Sequence, residues 1–421
     1  MSRIPLHWQI LVSIVLACAF GYWLPNWVPY VSWMGDLFLR MLTMVVIPLV
    51  FCSIVAAMTK IRGKEKLKRL GTKTVAIYIG TTLLAIFTGL ILVNLIRPGV
   101  GLDITDEGGV TAPSLQSLSI GEALFSSLPK NPFADLAEGR MLPIVVFAVI
   151  FGIFLARSRQ ETDDLPTLSG QTGPSPIETL IHCFEAGFDV IMKMTIFILM
   201  FAPLGVFGLI ATNIARFSGE NGAFAQFGQG LGLHFLVVFL GLSFHLLVTL
   251  SLCVWLLSGC NPWKHMRNMG AVILTAFSTA SSNGTLPLSI RDVVKKSGVS
   301  QETAGFVLPM GAAINMNGSA LYECAVVMFV AQAYGIDLTL YQQIVMVVMV
   351  LLAAVGTAGI PMASLVMIVI VLNAVGLPPE GIGLVIAVDR PLDMCRSVLN
   401  IYGDTCCAVI VAKSEGETLA V

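Results

Sequence analysis

Charge is scarce in this chain: Asp, Glu, Lys and Arg together make up 12% of its 421 residues, against 56% hydrophobic ones. A soluble domain carries charge on about a quarter of its residues and is less than half apolar, so this composition excludes an ordinary soluble fold. Acids and bases nearly cancel, leaving a formal net charge of −1 and no excess of positive charge for nucleic acid. Histidine is rare too, at 7, 182, 234, 245 and 265. None of the five falls in the polar motifs below, so a hydrolase would lack its conventional general base there, and no catalytic residue is expected. Nine cysteines lie mostly in apolar runs. Apart from adjacent Cys406 and Cys407 they lack the paired spacing of a zinc or redox site and read as small core hydrophobes; no cofactor is expected. A small-residue cleavage site is also missing after the first apolar stretch, 10–24, which runs into Pro25 and Trp27. That stretch reads as a first span and not as a leader.

Long apolar runs are what the chain has instead. About 20 apolar residues cross the hydrocarbon core of a bilayer, and candidate spans lie near 8–25, 35–58, 73–96, 142–157, 184–212, 228–257, 303–333 and 382–412. Lipid tails are the expected partners of their outer faces. Lys60, Arg62, Lys64, Lys66, Lys68, Arg69 and Lys73 cluster between the second and third spans, opposed only by Glu65. With Arg3 and Lys413, the positive-inside rule places this loop and both termini in the cytoplasm. Lys264, Arg267, Arg291, Lys295 and Lys296 fall on the same side only if the segment between them does not cross. The stretch 158–178 reads as a polar linker, and 98–135 as a mixed extracellular connection.

Residues 270–290 read GAVILTAF-STASSNGT-LPLSI, two apolar pieces too short to span around a polar tip. A second such segment follows at 343–373, with GTAGIPMAS at its centre. Both are predicted to be re-entrant hairpins, the second entering from the opposite face. The span between them is interrupted at Asn315-Met316-Asn317-Gly318-Ser319. Broken backbone at membrane depth is tolerated only inside protein or along a wet cavity, and matched broken segments point to a transporter's midplane site.

Asp389, Asp393, Arg396, Asn400 and Asp404 recur at spacings that put them within an arc of about 80° on one helix. Ser397 lies beside them and Arg390 on the edge. Each charge at mid-bilayer costs about 2.5–3.5 kcal/mol, and the five here on the order of 12 kcal/mol, so this face cannot meet lipid. Pairing of Asp393 with Arg396 is the structural reading. The functional one gives Arg396 a substrate carboxylate and Asp393 an ammonium, with Asp404 free to coordinate a cation alongside carbonyl oxygens. Together they describe a zwitterion with one extra carboxylate. A passive channel would not need Arg396 beside Asp393.

The motifs SSNGTLP (281–287), LPMGAAINMNGSALYE (308–323), GTAGIP (356–361) and DRPLDMCRSVLNIYGD (389–404) make the chain resemble the glutamate/aspartate transporter family, the dicarboxylate/amino acid:cation symporters. The resemblance covers nearly the whole length. It implies an all-α polytopic membrane protein of eight transmembrane helices plus two re-entrant hairpins, built as inverted repeats. It also implies a homotrimer in which each protomer moves a transport core (about 71–100 and 225–415, with hairpins at about 265–295 and 340–375) against a scaffold (about 1–70 and 135–215), as an elevator. The substrate site it implies comprises Ser281, Ser282, Ser319, Gly359, Asp393, Arg396, Ser397 and Asn400. A first sodium site would use Asp404 with backbone oxygens of Gly311, Asn315 and Asn400. A second would join the broken span to Tyr78, Thr81 and Thr82, and a third would lie near Thr357. The function implied is symport of aspartate or glutamate driven by sodium, with purely proton-coupled glutamate or dicarboxylate symport as the alternative.

The chain departs from the family pattern at Asn317 and Ser319, and Asn317 and Glu323 bear on coupling. The family's usual NMDG reads Asn-Met-Asn-Gly here, so Asn317 removes the only formal charge from the second sodium site. The usual threonine two positions on is Ser319. Glu323 stands where the Glu form is associated with proton cotransport, whereas retention of Asp404 favours sodium. A lone carboxylate away from water is held more cheaply with a proton than without one.

Overall fold

The computed structural model describes residues 6–59, 65–102, 128–138, 141–163, 175–217, 223–356 and 363–421. Among the described residues every regular element is helical. The first seven helices are α1 (Leu6–Trp23), α2 (Trp33–Thr59), α3 (Glu65–Ile96), α4 (Pro132–Glu138), α5 (Met141–Asp163), α6 (Pro176–Leu199) and α7 (Ala202–Phe217). Next, α8 runs from Ala223–Phe244 through a π-helical turn, His245–Thr249, into Leu250–Ser258. The remainder are α9 (Pro262–Asn268), α10 (Gly270–Thr279), α11 (Ser282–Asp292), α12 (Gln301–Ile314), α13 (Asn317–Ala333), α14 (Leu340–Gly356), α15 (Ala363–Val375) and α16 (Ile386–Ser414). By length and composition five described helices can cross a bilayer, or six if one bent pair counts as a single span.

That bent pair falls on the candidate span at 184–212, which is not continuous: α6 and α7 meet at 55°. Pro203 lies in the first turn of α7; a proline there cannot donate to the preceding turn and its ring crowds it, so the helix breaks before it. One correction concerns the linker at 158–178, because α5 continues to Asp163 and α6 begins at Pro176. Likewise the 98–135 connection contains the start of α4, where Asp135 is buried. The basic residues Lys60, Arg62 and Lys64 lie outside the described residues.

The segment expected to form the first hairpin folds as two short helices that pack on each other. Helices α10 and α11 are joined at Ala280, whose φ of +48° is left-handed. Ser281 then caps α11, its hydroxyl accepting from the Gly284 amide at 3.1 Å, as N-cap serines do. For the second hairpin, α14 and α15 are its two limbs and pack on each other, while its tip lies outside the described residues. The broken span is tighter than its sequence suggests. Only Asn315 and Met316 are non-helical, and Gly318 and Ser319 already belong to α13.

Packing falls into two groups. Helices α1, α2, α5, α6 and α7 pack mainly among themselves, whereas α3, α8 and α10 to α16 gather around α13 and α16. Nearly every residue of α13 is buried, and α16 is buried from Asp389 inward on the face that carries its charges.

Candidate substrate and cation site

The site is built where the break between α12 and α13 meets the middle of α16. A helix start leaves amide N–H groups without partners. Here the Gly318 amide donates to Asn400 Oδ1 at 2.7 Å, so α16 caps α13. The two backbones touch at this point: a Cβ on Gly318 would stand 2.7 Å from the Arg396 carbonyl oxygen, and only glycine fits. Asn400 Nδ2 reaches Met316 Sδ at 3.2 Å and Ser319 Oγ at 3.5 Å. Ser319, Asn400, Asp393 and Arg396 are thus brought together as expected.

Arg396 is 1% exposed. Its Nη2 donates to both Asp393 Oδ1 and Asp389 Oδ1, each at 2.9 Å, and its Cζ lies 3.9 Å from the centre of the Tyr322 ring. The guanidinium is therefore pinned by two carboxylates and an aromatic face, a cation–π arrangement. Its Nε and Nη1 are buried without a hydrogen-bond partner. An unpaired buried donor of a charged group is costly, and these two N–H groups meet no acceptor in the protein. The pairing of Asp393 with Arg396 does form, and it leaves this donor capacity unused. Asp393 Oδ2 accepts from Arg390 Nη1 at 3.0 Å. Ser397 is buried alongside. Ser281 and buried Ser282 sit on the first hairpin, both of whose limbs pack against α16; Gly359 lies outside the described residues.

Asp389 and Tyr322 are the contributions to which sequence reasoning gives no role. Asp389 precedes Arg396 by seven residues, two helical turns, so the helical period that places it on the polar face also signals this contact. Nothing in the local pattern around Tyr322 shows that its ring lies beneath a guanidinium on another helix.

A second cluster lies about two turns further along α16. Asn315 Nδ2 donates to Asp404 Oδ1 at 2.8 Å, leaving Asp404 Oδ2 and Asn315 Oδ1 both buried and unpaired. Gly311 closes the space: a Cβ there would fall 2.3 Å from Asp404 Oδ1 and 2.4 Å from the Tyr78 hydroxyl. Two unpaired oxygen acceptors, one of them on a carboxylate, form a donor set suited to a hard cation. The neighbouring cluster differs. Thr82 Oγ1 donates to Asn317 Oδ1 at 2.7 Å, Thr81 Oγ1 to the Tyr78 carbonyl, and Tyr78 to the Val307 carbonyl. Asn317 Nδ2 is the buried atom left over, and it is a donor. This cluster offers no carboxylate and commits its amide oxygen to a hydroxyl. Thr357 lies outside the described residues.

Glu323 is fully buried on α13, and neither carboxylate oxygen has a hydrogen-bond partner. Among the described residues no group of three His, Cys, Asp or Glu side chains could hold a metal ion, so a cation here would rest on carbonyl and amide oxygens around one acid.

Broken helices, a pinned buried arginine and a lone acid among amide oxygens recur in known proteins, and comparison with them identifies the family. The profile of the sodium:dicarboxylate symporter family matches residues 6–414. The chain belongs to that family. It is an integral membrane protein of a family of symporters. It is similar to the "Proton/sodium-glutamate symport protein" of Bacillus caldotenax, at 33% identity over 99% of this chain and 96% of the relative. It is also similar to the "Proton/glutamate-aspartate symporter" of Escherichia coli (strain K12), at 33% over 98% and 93%. An "Excitatory amino acid transporter" of Caenorhabditis elegans is 30% identical over 95% of this chain and 85% of the relative.

Proposed function

We propose that this symporter moves acidic amino acids, aspartate or glutamate, across the cell membrane, coupled to sodium. The observation that carries the substrate class is the buried Arg396 guanidinium with Nε and Nη1 unpaired beside Asp393. A buried guanidinium with N–H groups still to be satisfied selects a carboxylate, and a neighbouring carboxylate selects an ammonium. The names of the relatives from Bacillus caldotenax and Escherichia coli agree with this class. Sodium is supported by the unpaired oxygens of Asp404 and Asn315. Substrate at Asp393 and Arg396 and a cation at Asp404, about two turns further along the same face of α16, would each stabilise the junction with α13, which couples them.

A purely proton-coupled mechanism is the second reading, and buried, unpartnered Glu323 favours it. The two differ in what drives accumulation. Proteoliposomes given an inward sodium gradient at equal pH should concentrate labelled aspartate on the first reading; concentration only under a pH gradient would select the second.

On the same proposal, α1, α2, α5, α6 and α7 belong to a scaffold, about 1–70 and 135–215, against which the core of about 71–100 and 225–415 moves as an elevator. The segregated packing of these two groups supports the division. Eight spans, two inverted hairpins, a homotrimer and cytoplasmic termini complete the architecture that family membership makes the natural expectation.

A further inference from the structure

We propose that Arg390 is a specificity-determining residue that competes with the substrate's ammonium group for Asp393, and so sets the balance between amino acids and dicarboxylates that lack an amine. This rests on the reading above in which Asp393 receives the ammonium. Both oxygens of that carboxylate already hold a guanidinium N–H: Oδ1 that of Arg396 at 2.9 Å, Oδ2 that of Arg390 at 3.0 Å. The two arginines are not equivalent. Arg396 is 1% exposed and shared with Asp389 over the Tyr322 ring. Arg390 lies at the edge of the polar face, with a side chain 21% exposed, and pairs with Asp393 from there. A long, partly solvated side chain in an i,i+3 pair is held weakly, so Arg390 is the partner that can swing away.

The consequence depends on the substrate. An amino acid must displace Arg390 from Oδ2 before its ammonium can occupy that oxygen, and it does so against a like charge. A dicarboxylate without an amine has no need of Oδ2 and gains from a second guanidinium nearby. Arg390 therefore weakens binding of the aminated acid while leaving or strengthening that of the deaminated one. Within the local charge count, Asp389 and Asp393 are balanced by Arg390 and Arg396, so the site offers an arriving ammonium no net negative charge until Arg390 withdraws.

The test compares L-aspartate with succinate, which differs from it by the amine, in competition for labelled aspartate uptake into proteoliposomes. Arg390→Ala should tighten aspartate by about tenfold, the size of one lost competing charged hydrogen bond (~1.4 kcal/mol), and should leave succinate unchanged or weaker. Arg390→Gln, which keeps a hydrogen-bonding side chain without the charge, should move the ratio in the same direction by less and serves if the alanine variant does not fold. Arg390→Lys should stay near wild type. Equal changes for the two substrates, or weaker aspartate binding in Arg390→Ala and Arg390→Gln, would overturn the proposal. Asp393→Asn separates the two levels of the reading. If it weakens aspartate and succinate alike, Asp393 does not take the ammonium and the site reading fails; if it discriminates between them while Arg390→Ala does not, only the role of Arg390 fails.

Discussion

Helices α3 and α16 place their polar and apolar residues in opposite relation to the protein interior. The span Arg69–Ile96 has a mean hydropathy of 2.2, and only 33% of its most apolar stretch is buried in the protein; Ile386–Ser414 has 1.2 and 89%. The broken span Gln301–Ala333 matches the second pattern, at 1.2 and 89%. In water the more apolar helix would be the one to hide. In a bilayer, lipid can cover an apolar helix without penalty, whereas charges and a broken backbone must be enclosed by protein. The least apolar spans are thus the deepest, and the broken backbone and buried charges concentrate in them.

That difference can be broken at its polar end first. Arg396→Ala leaves Asp389 and Asp393 as buried carboxylates without their shared partner, a loss of about 3–5 kcal/mol for a buried pair. Aspartate and glutamate uptake should fall by about a hundredfold or more, with small neutral amino acids gaining entry in their place. Acidic uptake that survives this substitution in reconstituted vesicles would remove Arg396 from the substrate site.

Asp404→Asn should have the next largest effect. It removes the acid beside Asn315 and should lower sodium affinity at least tenfold, about 1.4 kcal/mol, read as a rightward shift in sodium-dependent aspartate binding. An unshifted titration would place the cation elsewhere.

Asn317 and Glu323 sharpen the comparison within α13 itself. Asn317→Asp restores a charge where the amide now faces Thr82, and should steepen the dependence of transport on sodium. Even at an effective dielectric near 20, a charge pair at about 4 Å is worth roughly 4 kcal/mol, so part of that suffices. Glu323→Gln should flatten the pH dependence of transport between about pH 5 and 8, since only the acid can carry a proton. A wild type already as steep in sodium as the Asn317→Asp variant, and indifferent to pH, would contradict both halves.

The smallest effects belong to the surface. Glu415 pairs with Lys73 at 2.6 Å and Arg69 at 2.5 Å, tying the end of α16 to the start of α3. Lys73 first, then Arg69, hold its carboxyl below the ordinary carboxylate range. The pairing therefore stabilises the fold above the ordinary value and is lost as pH falls through the lowered one. The Glu415 side chain is only 7% exposed, but Lys73 and Arg69 are 34% and 63% exposed, so Glu415→Gln should cost about 1 kcal/mol at neutral pH, and thermal melts of the two proteins should converge in acid. A much larger loss at neutral pH would mean the clasp does more than join two half-exposed cations to one acid.

Much of this organisation is legible in the sequence because it follows from local pattern. The helical period puts five polar residues on one face of α16, and Ser/Gly-rich tips between short apolar pieces mark the hairpins. What the pattern cannot show depends on contacts between distant segments. The Tyr322 ring lies under Arg396 because α13 and α16 touch backbone to backbone at Gly318, and neither helix signals that alone. The bend before Pro203 escapes the pattern although its proline is visible, since apolar residues continue on both sides. The π turn at His245–Thr249 has no proline or glycine to announce it.

The central claim, that the junction of α13 with α16 binds an acidic amino acid and a cation together, is tested most directly by L-aspartate binding to the purified protein at sodium concentrations from zero to ~100 mM, repeated at several pH values. Aspartate affinity should rise steeply with sodium in the wild type and far less in Asp404→Asn. Affinity unchanged by sodium over that range, at every pH, would contradict it.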